Sequence, residues 1–314
     1  MSTLQPPSVA PPDTSDEDPR IGHLLADPVP DDESTTAVLL GFPVDEGVVR
    51  NGGRPGAAEA PDQLRECLYG MTPDARRGEG FRQSLRRTQD AGNLVGDASL
   101  AVRQAALGDA LAPPLRHDTV PIVLGGGHET AYGHFLSYVE AGMDVTILNW
   151  DAHPDVRPPN DGKPHSGSSF RQALAHPSGH CQHYAVAGLQ PHSTAAAHLQ
   201  YIDDHDGDYQ WADDLTPSAI TEQYECLSGP TMVTFDLDAV DQAQAPGVSA
   251  PAVGGLDRDV WLHAAYRAGQ CPQVTSVDVV ELNPRVDVDD RTARLAALTV
   301  VEILRGLTDR SETK

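Results

Sequence analysis

Residues Ile147–Arg157 read ILNWDAHPDVR, an apolar run that ends in Asp151, His153 and Asp155, three polar side chains spaced two residues apart. Side chains on a strand alternate between its faces, so these three point the same way if the extended conformation continues past the strand end. Desolvating three such groups together without a cation between them would cost far too much free energy. The stretch therefore favours a metal site at the end of a β-strand over an ordinary polar loop.

Two further stretches end in the same way. Residues Met232–Asp241 read MVTFDLDAVD and place Asp236 and Asp238 on one face of a strand end. Residues Ile122–Glu129 read IVLGGGHE, in which three glycines let the backbone turn and present His128, without the lysine or the spacing of a phosphate-binding loop. Together the three stretches supply four aspartates and two histidines. This set suits two divalent cations, with manganese the best match and zinc, cobalt or nickel still open.

Apolar runs alternate with helical patterns along the chain, which predicts βαβ units and a mostly parallel sheet flanked by helices, an α/β fold. Ligands bind such sheets at the carboxyl ends of the strands, where all three stretches fall. The eight predicted strands are Thr36–Phe42, Arg87–Asp90, Val120–Leu124, Val145–Asn149, His183–Ala187, Tyr209–Trp211, Met232–Phe235 and Val274–Val280. The seven predicted helices are Pro61–Leu68, Leu100–Leu111, Glu129–Ala141, Thr194–Ile202, Pro217–Leu227, Asp257–Ala268 and Thr292–Leu304.

The first 34 residues differ in composition from the rest of the chain. They repeat Pro, Asp and Ser and hold few apolar side chains, too few to offset the entropy of ordering. We therefore predict a flexible acidic Pro-rich tail over residues 1–34, with a short docked piece at Ile21–Leu25, and a single domain over residues 35–314.

The charge of the chain excludes one class of partner. Its 314 residues include 46 acidic and 22 basic side chains, for a formal net charge of -24. Such a surface repels phosphate backbones and anionic lipid headgroups, so neither nucleic acid nor a membrane is expected as a partner.

We see no apolar run of the roughly 18 residues of a membrane span, no signal segment and no CxxC pair, so a soluble, cytoplasmic protein is expected. Scattered acids and only two lysines favour a halophile's protein over a GC-rich genome with an ordinary solvated surface.

The motifs GGGHE, DAHPD and DLDAVD, in this order and spacing, resemble those of the arginase/agmatinase superfamily of ureohydrolases. The resemblance runs from about Thr35 to the last predicted helix. It implies a three-layer arginase-like α/β fold with a parallel eight-stranded sheet, two Mn²⁺ ions per subunit and a homo-oligomer. It also implies the ligands of each ion: His128, Asp151, Asp155 and Asp236 for one, and Asp151, His153, Asp236 and Asp238 for the other, with Asp151 and Asp236 bridging.

Within that superfamily, four other stretches resemble the formimidoylglutamases, which cleave N-formimidoyl-L-glutamate to L-glutamate and formamide in histidine degradation. They are Asp45–Arg54 (DEGVVRNGGR), Ser168–Gln172 (SSFRQ), Ala245–Pro251 (APGVSAP) and Val279–Arg294 (VVELNPRVDVDDRTAR). The resemblance implies a reaction in which a metal-bridging hydroxide attacks the amidine carbon. In this reaction Asp155 relays a proton to the departing amine.

Two residues are candidates for substrate contacts. Glu281 follows an apolar strand, where its carboxylate can pair with and orient a cationic amidine or guanidinium group; the alternative is a surface ion-pair acid. Arg157 continues the two-residue spacing of the DAHPD stretch. It can attract a substrate carboxylate and repel the cationic tail of agmatine, or it can simply neutralise nearby acids. Arg50 and Arg54 are weaker candidates for the same contact and are better suited to fixing their loop.

One position departs from the arginase pattern. Arginases and agmatinases have a proton-shuttling histidine directly before the glycine of the loop after DAHxD, whereas here Ser166 precedes Gly167 and His165 lies one residue earlier. Formimidoylglutamases also lack that histidine, so the departure argues against arginase more than against hydrolysis. His165 is left without a role, and a surface position is at least an equal expectation for it.

Three alternative functions stay open at this point. The nearest is an agmatinase or another guanidino-compound hydrolase that releases urea. Metal-dependent deacetylases share the implied fold, although their usual single-zinc site does not match a two-metal aspartate pattern. A metal-binding or regulatory protein without catalysis would keep the ligands and turn over no amidine or guanidine.

Overall fold

The structure, a computed structural model, describes residues 2–14, 17–26 and 35–312. Its strands are β1 (Thr3–Gln5), β2 (Ala37–Phe42), β3 (Thr88–Val95), β4 (Val120–Gly125), β5 (Val145–Trp150), β6 (Cys181–Leu189), β7 (Asp208–Trp211), β8 (Thr231–Asp236) and β9 (Val274–Val280). Its helices are α1 (Ile21–Ala26), α2 (Glu46–Arg50), α3 (Ala60–Gly70), α4 (Gly78–Arg86), α5 (Leu100–Arg116), α6 (Thr130–Ala141), α7 (Ser169–Leu174), α8 (Ala196–Asp203), α9 (Pro217–Glu225), α10 (Arg258–Gln270) and α11 (Arg291–Glu312).

The strands form one sheet in the order β1-β3-β2-β4-β9-β8-β5-β6-β7. Every neighbouring pair from β3 to β7 is parallel, and β1 pairs with β3 in the antiparallel direction. All eight predicted strands form, and the mostly parallel α/β class is confirmed. The sheet has one strand more than predicted because β1 pairs with β3 at the edge of the sheet.

Both β1 and α1 lie within residues 1–34, which we predicted to be a flexible tail with a short docked piece at Ile21–Leu25; α1 is that docked piece, and β1 was not predicted. β1 pairs with β3. Ile21 in α1 is fully buried, and its N–H donates to the Met71 carbonyl at 2.8 Å. The described part of this segment therefore packs on the domain in two ways: the apolar side chains of α1 are buried beside α3 and α4, whereas the exposed residues of β1 are held by backbone pairing with β3. Residues 15–16 and 27–34 lie outside the described residues, so the tail prediction is untested there.

The seven predicted helices all form, and four short ones were not predicted as helices. These four, α1, α2, α4 and α7, have nine residues or fewer, too few for a periodic apolar pattern to stand out. α5 ends at Arg116 instead of Leu111 and contains Pro113 and Pro114 in its last turn, although proline has no N–H to donate to the preceding turn.

The centre of the sheet is buried on both faces, as a parallel sheet covered by helices on both sides requires. Every residue of β4 and of β8 is buried. Among the described helices, none has the length and apolarity needed to cross a membrane.

Candidate metal centre

Four neighbouring strands deliver the polar side chains of the candidate site. β4, β9, β8 and β5 are adjacent and parallel, so their carboxyl ends meet at one edge of the sheet. His128 follows β4, Glu281 follows β9, Asp236 ends β8 and Asp151 follows β5. The order of the strands therefore brings together residues that lie far apart in the chain.

His128 lies at the centre of the first group of potential ligands. Its Nδ1 lies 3.2 Å from Asp151 Oδ2, 3.0 Å from Asp155 Oδ2 and 2.9 Å from Asp236 Oδ2. These distances are short, but Nδ1 makes no properly directed hydrogen bond to any described residue. A buried nitrogen that faces three carboxylates and bonds to none of them fits a cation bound among all four side chains.

Asp151, His153 and Asp238 form a second group. His153 Nδ1 lies 3.4 Å from Asp151 Oδ1 and 3.2 Å from Asp238 Oδ2. Asp238 Oδ1 is buried without a hydrogen-bond partner in the part of the chain that the structure describes. Asp151 thus directs one oxygen toward each group. Asp236 belongs to the first group, and its bridging role stays a prediction.

The crowded acids change one another's pKa values. Burial, followed by the charges of Asp238 and Asp151, holds the pKa of Asp236 well above its ordinary value. Burial raises the pKa of Asp238 to about 6, against the opposing charge of His153. The pKa of His153 rises to about 12, chiefly because of the Asp238 charge. Without a cation, the acids would relieve this repulsion by taking up protons. Bound divalent cations would relieve it by neutralising the carboxylates instead.

The alignment of three side chains on one face requires an extended backbone throughout the DAHPD stretch, and the structure does not have one. The φ of Asp155 is 46°, in the left-handed region. Two hydrogen bonds hold this turn: Phe170 N donates to the Asp155 carbonyl at 3.2 Å, and Tyr184 OH donates to the Pro154 carbonyl at 2.6 Å. The extended conformation that this alignment required therefore does not persist to Asp155. The turn instead places Asp155 in the first group, while His153 belongs to the second.

A cavity of about 240 Å³ opens onto both groups. Its wall includes four of the potential ligands, both predicted substrate contacts and the chain that follows α2: His153, Asp155, Asp236, Asp238, Glu281, Arg157, Asn51, Gly52 and Gly53. A small polar molecule that entered it would contact the metal groups, one buried carboxylate and one guanidinium group.

Glu281 is a buried residue of this wall and not a surface ion-pair acid. Its side chain is 5% exposed, and its Oε1 accepts a hydrogen bond from His128 N at 2.8 Å. Its φ of 68° is strained for a residue with a side chain, and its N–H donates to the Gly126 carbonyl at 2.8 Å. Burial, followed by the charges of Glu129 and Asp238, raises its pKa well above the ordinary value. A cationic group beside Glu281 would relieve this unfavourable environment.

The three arginines considered from the sequence have different surroundings. Arg157 is exposed, lines the cavity and donates to Asn51 Oδ1 at 3.3 Å. Arg50 and Arg54 donate to backbone carbonyls of neighbouring loops at 3.0 and 3.3 Å. Of the three, Arg157 is therefore the one in position to meet a ligand in the cavity.

Glu129 is a further buried acid beside the site that the sequence patterns did not indicate. It is 1% exposed, and its Oε1 accepts a hydrogen bond from Gly47 N at 2.6 Å. A Cβ atom on Gly47 or Gly127 would come within 2.6 or 2.3 Å of its carboxylate group. Glu129 therefore ties the GGGHE turn to α2, whose C-terminal end leads into the cavity wall. The glycines of these two stretches were the sequence signal for this contact, because only glycine leaves room for the Glu129 carboxylate.

His165 is 1% exposed, so a surface position was the wrong expectation. Its Nε2 lies 3.1 Å from the Pro158 carbonyl. The described cavity wall includes the next residue, Ser166. The contacts of His165 support the loop and give it no chemical role.

The sequence model of the Arginase family matches residues 35–305. Two relatives are similar over most of their length. The formimidoylglutamase of Nocardia farcinica is 38% identical over 306 residues, 93% of each chain. The formimidoylglutamase of Geobacillus kaustophilus is 38% identical over 290 residues, 89% of this chain and 87% of that one.

A solved structure agrees with these matches. The formiminoglutamase of Trypanosoma cruzi, solved with Mn²⁺, superposes with a TM-score of 0.85 and 31% identity, over 93% of this chain and 99% of that chain. The predicted arginase-like architecture is thereby confirmed.

Proposed function

The chain belongs to the arginase family, and we propose that it hydrolyses N-formimidoyl-L-glutamate with two Mn²⁺ ions. It is a hydrolase that acts on amidine or guanidino groups. In the proposed reaction, water adds to the amidine carbon, the bond from that carbon to the glutamate nitrogen breaks, and L-glutamate and formamide leave. The names of the relatives from N. farcinica and T. cruzi support this substrate.

The observation that carries the proposal is the pair of ligand groups that share Asp151 and open into a cavity beside Glu281. The unbonded Nδ1 of His128 and the unbonded Oδ1 of Asp238 support a fit of these residues to bound cations. Carboxylate and imidazole ligands suit Mn²⁺. When bound, two such ions supply a water molecule with a pKa low enough for it to act as a nucleophile near neutral pH.

The chain's own residues position the substrate and handle its protons. The Glu281 carboxylate orients the cationic amidine group by a charge-assisted hydrogen bond. Asp155, which lines the cavity, accepts the proton that the attacking water loses and delivers it to the departing amine nitrogen. The strained backbone at both residues, with φ of 46° and 68°, is typical of groups held in place for function.

Arg157 selects the substrate through the sign of its charge. The protein carries a net charge of -24, and such a field repels a dianionic amino-acid derivative. A guanidinium group in the cavity wall offsets that repulsion locally and disfavours the cationic tail of agmatine. Agmatinase activity is therefore the second candidate function.

We expect Arg157→Gln to raise the KM for formimidoylglutamate about tenfold with little change in kcat, since one exposed charge-assisted contact is lost. Steady-state kinetics measure the change. The matched control is Arg285→Gln, which removes an exposed arginine that pairs with Glu59 instead of lining the cavity. An unchanged KM in Arg157→Gln would assign the substrate carboxylates to other residues.

One coupled assay tests the proposed function. The Mn²⁺-loaded protein is given formimidoylglutamate, agmatine and arginine in turn, at low and at high salt, and formamide or urea is measured. We expect formamide from the first substrate only. Urea release from agmatine would overturn the first choice in favour of agmatinase, and no turnover of any of the three would favour a non-catalytic metal-binding protein.

We further propose that the protein works at high salt. All seven described non-glycine residues with positive φ are acidic. Five of them are exposed aspartates in turns, positions where asparagine is also common: Asp118, Asp161, Asp206, Asp289 and Asp290. The chain thus adds surface charge even where backbone conformation restricts the choice of residue.

Raising KCl from about 0.1 to 1 M should raise the midpoint of thermal unfolding by roughly 5–10 °C, because the screening length falls from about 10 to 3 Å. Calorimetry or circular dichroism measures the midpoint. Sucrose is the control, since it favours the compact state without screening charge. Greatest stability at the lowest salt would exclude a halophile's protein.

A homo-oligomer and a cytoplasmic location stay predictions. Light scattering on the purified protein measures the first, and fractionation of the source cells measures the second.

A further inference from the structure

A chain of buried hydrogen bonds runs from His128 into the core, away from the cavity. His128 Nε2 lies 3.0 Å from Thr234 Oγ1, which donates to Asp278 Oδ1 at 2.5 Å. On its other side, Asp278 Oδ2 lies 2.6 Å from His134 Nδ1. All four side chains are at most 1% exposed. This series of hydrogen bonds therefore links a potential metal ligand on the turn after β4 to strands β8 and β9 and to helix α6.

Asp278 sets the direction of these hydrogen bonds. A carboxylate can only accept, so the Thr234 hydroxyl and the His134 Nδ1–H both donate to it. Thr234 has then used its single proton and can only accept from His128. His128 must carry a proton on Nε2, which leaves Nδ1, the atom that faces the three carboxylates, free to donate its lone pair to a metal.

The far end of the chain agrees with this assignment. His134 Nε2 lies 2.6 Å from Ser276 Oγ, and Ser276 Oγ lies 2.6 Å from Tyr138 OH. With the His134 proton on Nδ1, Nε2 accepts from Ser276, whose oxygen in turn accepts from Tyr138. Every member thus has a partner in one consistent direction, and that direction ends at the Asp278 carboxylate.

We propose that Asp278 is a positioning residue of the metal centre: through Thr234 it fixes the ring orientation and the tautomer of His128, so that Nδ1 is ready to bind the metal. The inference rests on the proposed function, because it requires a cation at the first group. Histidine ligands usually donate their second N–H to a carboxylate, a carbonyl or water. Here a hydroxyl stands between the histidine and the carboxylate, and a second histidine holds the carboxylate from behind.

Titration of metal-free protein with Mn²⁺ by calorimetry tests this role in three variants of the full chain. Asp278→Leu is close in shape and accepts no hydrogen bond, so the Thr234 hydroxyl is left to donate to His128 Nε2 and favours the wrong tautomer. Thr234→Val removes the hydroxyl with almost no change of shape. Tyr138→Phe is the matched control, since it removes a buried hydroxyl from the far end of the same series of hydrogen bonds.

We expect Asp278→Leu and Thr234→Val to weaken one of the two Mn²⁺ sites by about 10- to 100-fold and to leave the other unchanged. Tyr138→Phe should bind both ions within about twofold of wild type, even if its unfolding temperature falls. Wild-type affinity at both sites in folded Asp278→Leu or Thr234→Val would overturn the inference, as would an equal loss in the control. If Asp278→Leu does not fold, Thr234→Val decides alone. A wild-type protein that binds no Mn²⁺ would contradict the proposed metal site itself.

Discussion

Replacing Asp151 by asparagine should release bound Mn²⁺ and lower kcat/KM by at least about a thousandfold. Asp151 is fully buried and is shared by both ligand groups, with Oδ2 beside His128 and Oδ1 beside His153. An amide of the same shape lacks the charge and offers one oxygen where the two groups need two. Metal analysis after gel filtration and steady-state kinetics measure the two losses together.

The matched control for this variant is Asp241→Asn. Asp241 belongs to the same DLDAVD stretch, but its oxygens accept hydrogen bonds from the backbone at Ala243 and Gly254, at 2.8 and 2.7 Å. This control should keep its metal. Mn²⁺ should also raise the unfolding temperature of wild type and of the control, because it binds the folded state, and leave that of Asp151→Asn unchanged. Full metal content or full activity in Asp151→Asn would eliminate the site as described.

Replacing Glu281 by glutamine should lower kcat/KM about a hundredfold or more while the protein keeps its metal. The glutamine oxygen can still accept the hydrogen bond from His128 N, so the turn after β9 is retained. The negative charge that orients the amidine cation is lost inside a buried site, where the attraction is strong. Kinetics with formimidoylglutamate and metal analysis separate the substrate contact from metal binding.

Glu59→Gln is the control for the Glu281 variant, because Glu59 forms an exposed ion pair with Arg285. Exposed ion pairs contribute little to stability, so the kinetics of Glu59→Gln should match those of wild type. Loss of metal from Glu281→Gln would show that Glu281 supports the ligands instead of the substrate. Unchanged kcat/KM would remove Glu281 from the reaction.

The ligand set was accessible from the sequence because each residue follows an apolar strand. His128, Asp151 and Asp236 could be placed at strand ends by local patterns alone, since a buried parallel strand is a continuous apolar run that stops where the chain leaves the sheet. The charge of these residues also indicated a metal site, because such acids are too costly to bury without a cation. The helices and the first described strand were less accessible where they were short, as α2 and β1 show.

Which of these residues meet, and in what geometry, depends on the packing of the whole domain. The order β4-β9-β8-β5 brings Glu281 beside His128 and Asp236 beside Asp151, and strand order depends on the packing of whole helices, which local patterns do not report. The left-handed turn at Asp155 depends on hydrogen bonds from Phe170 and Tyr184, residues on other elements. The buried chain behind His128 needs three elements in register before Asp278 can act on it. The chemistry of the ligands and their places at strand ends can be read from the sequence, because both follow from neighbouring residues. The arrangement of the ligands cannot, because it follows from contacts between residues that are distant in the chain.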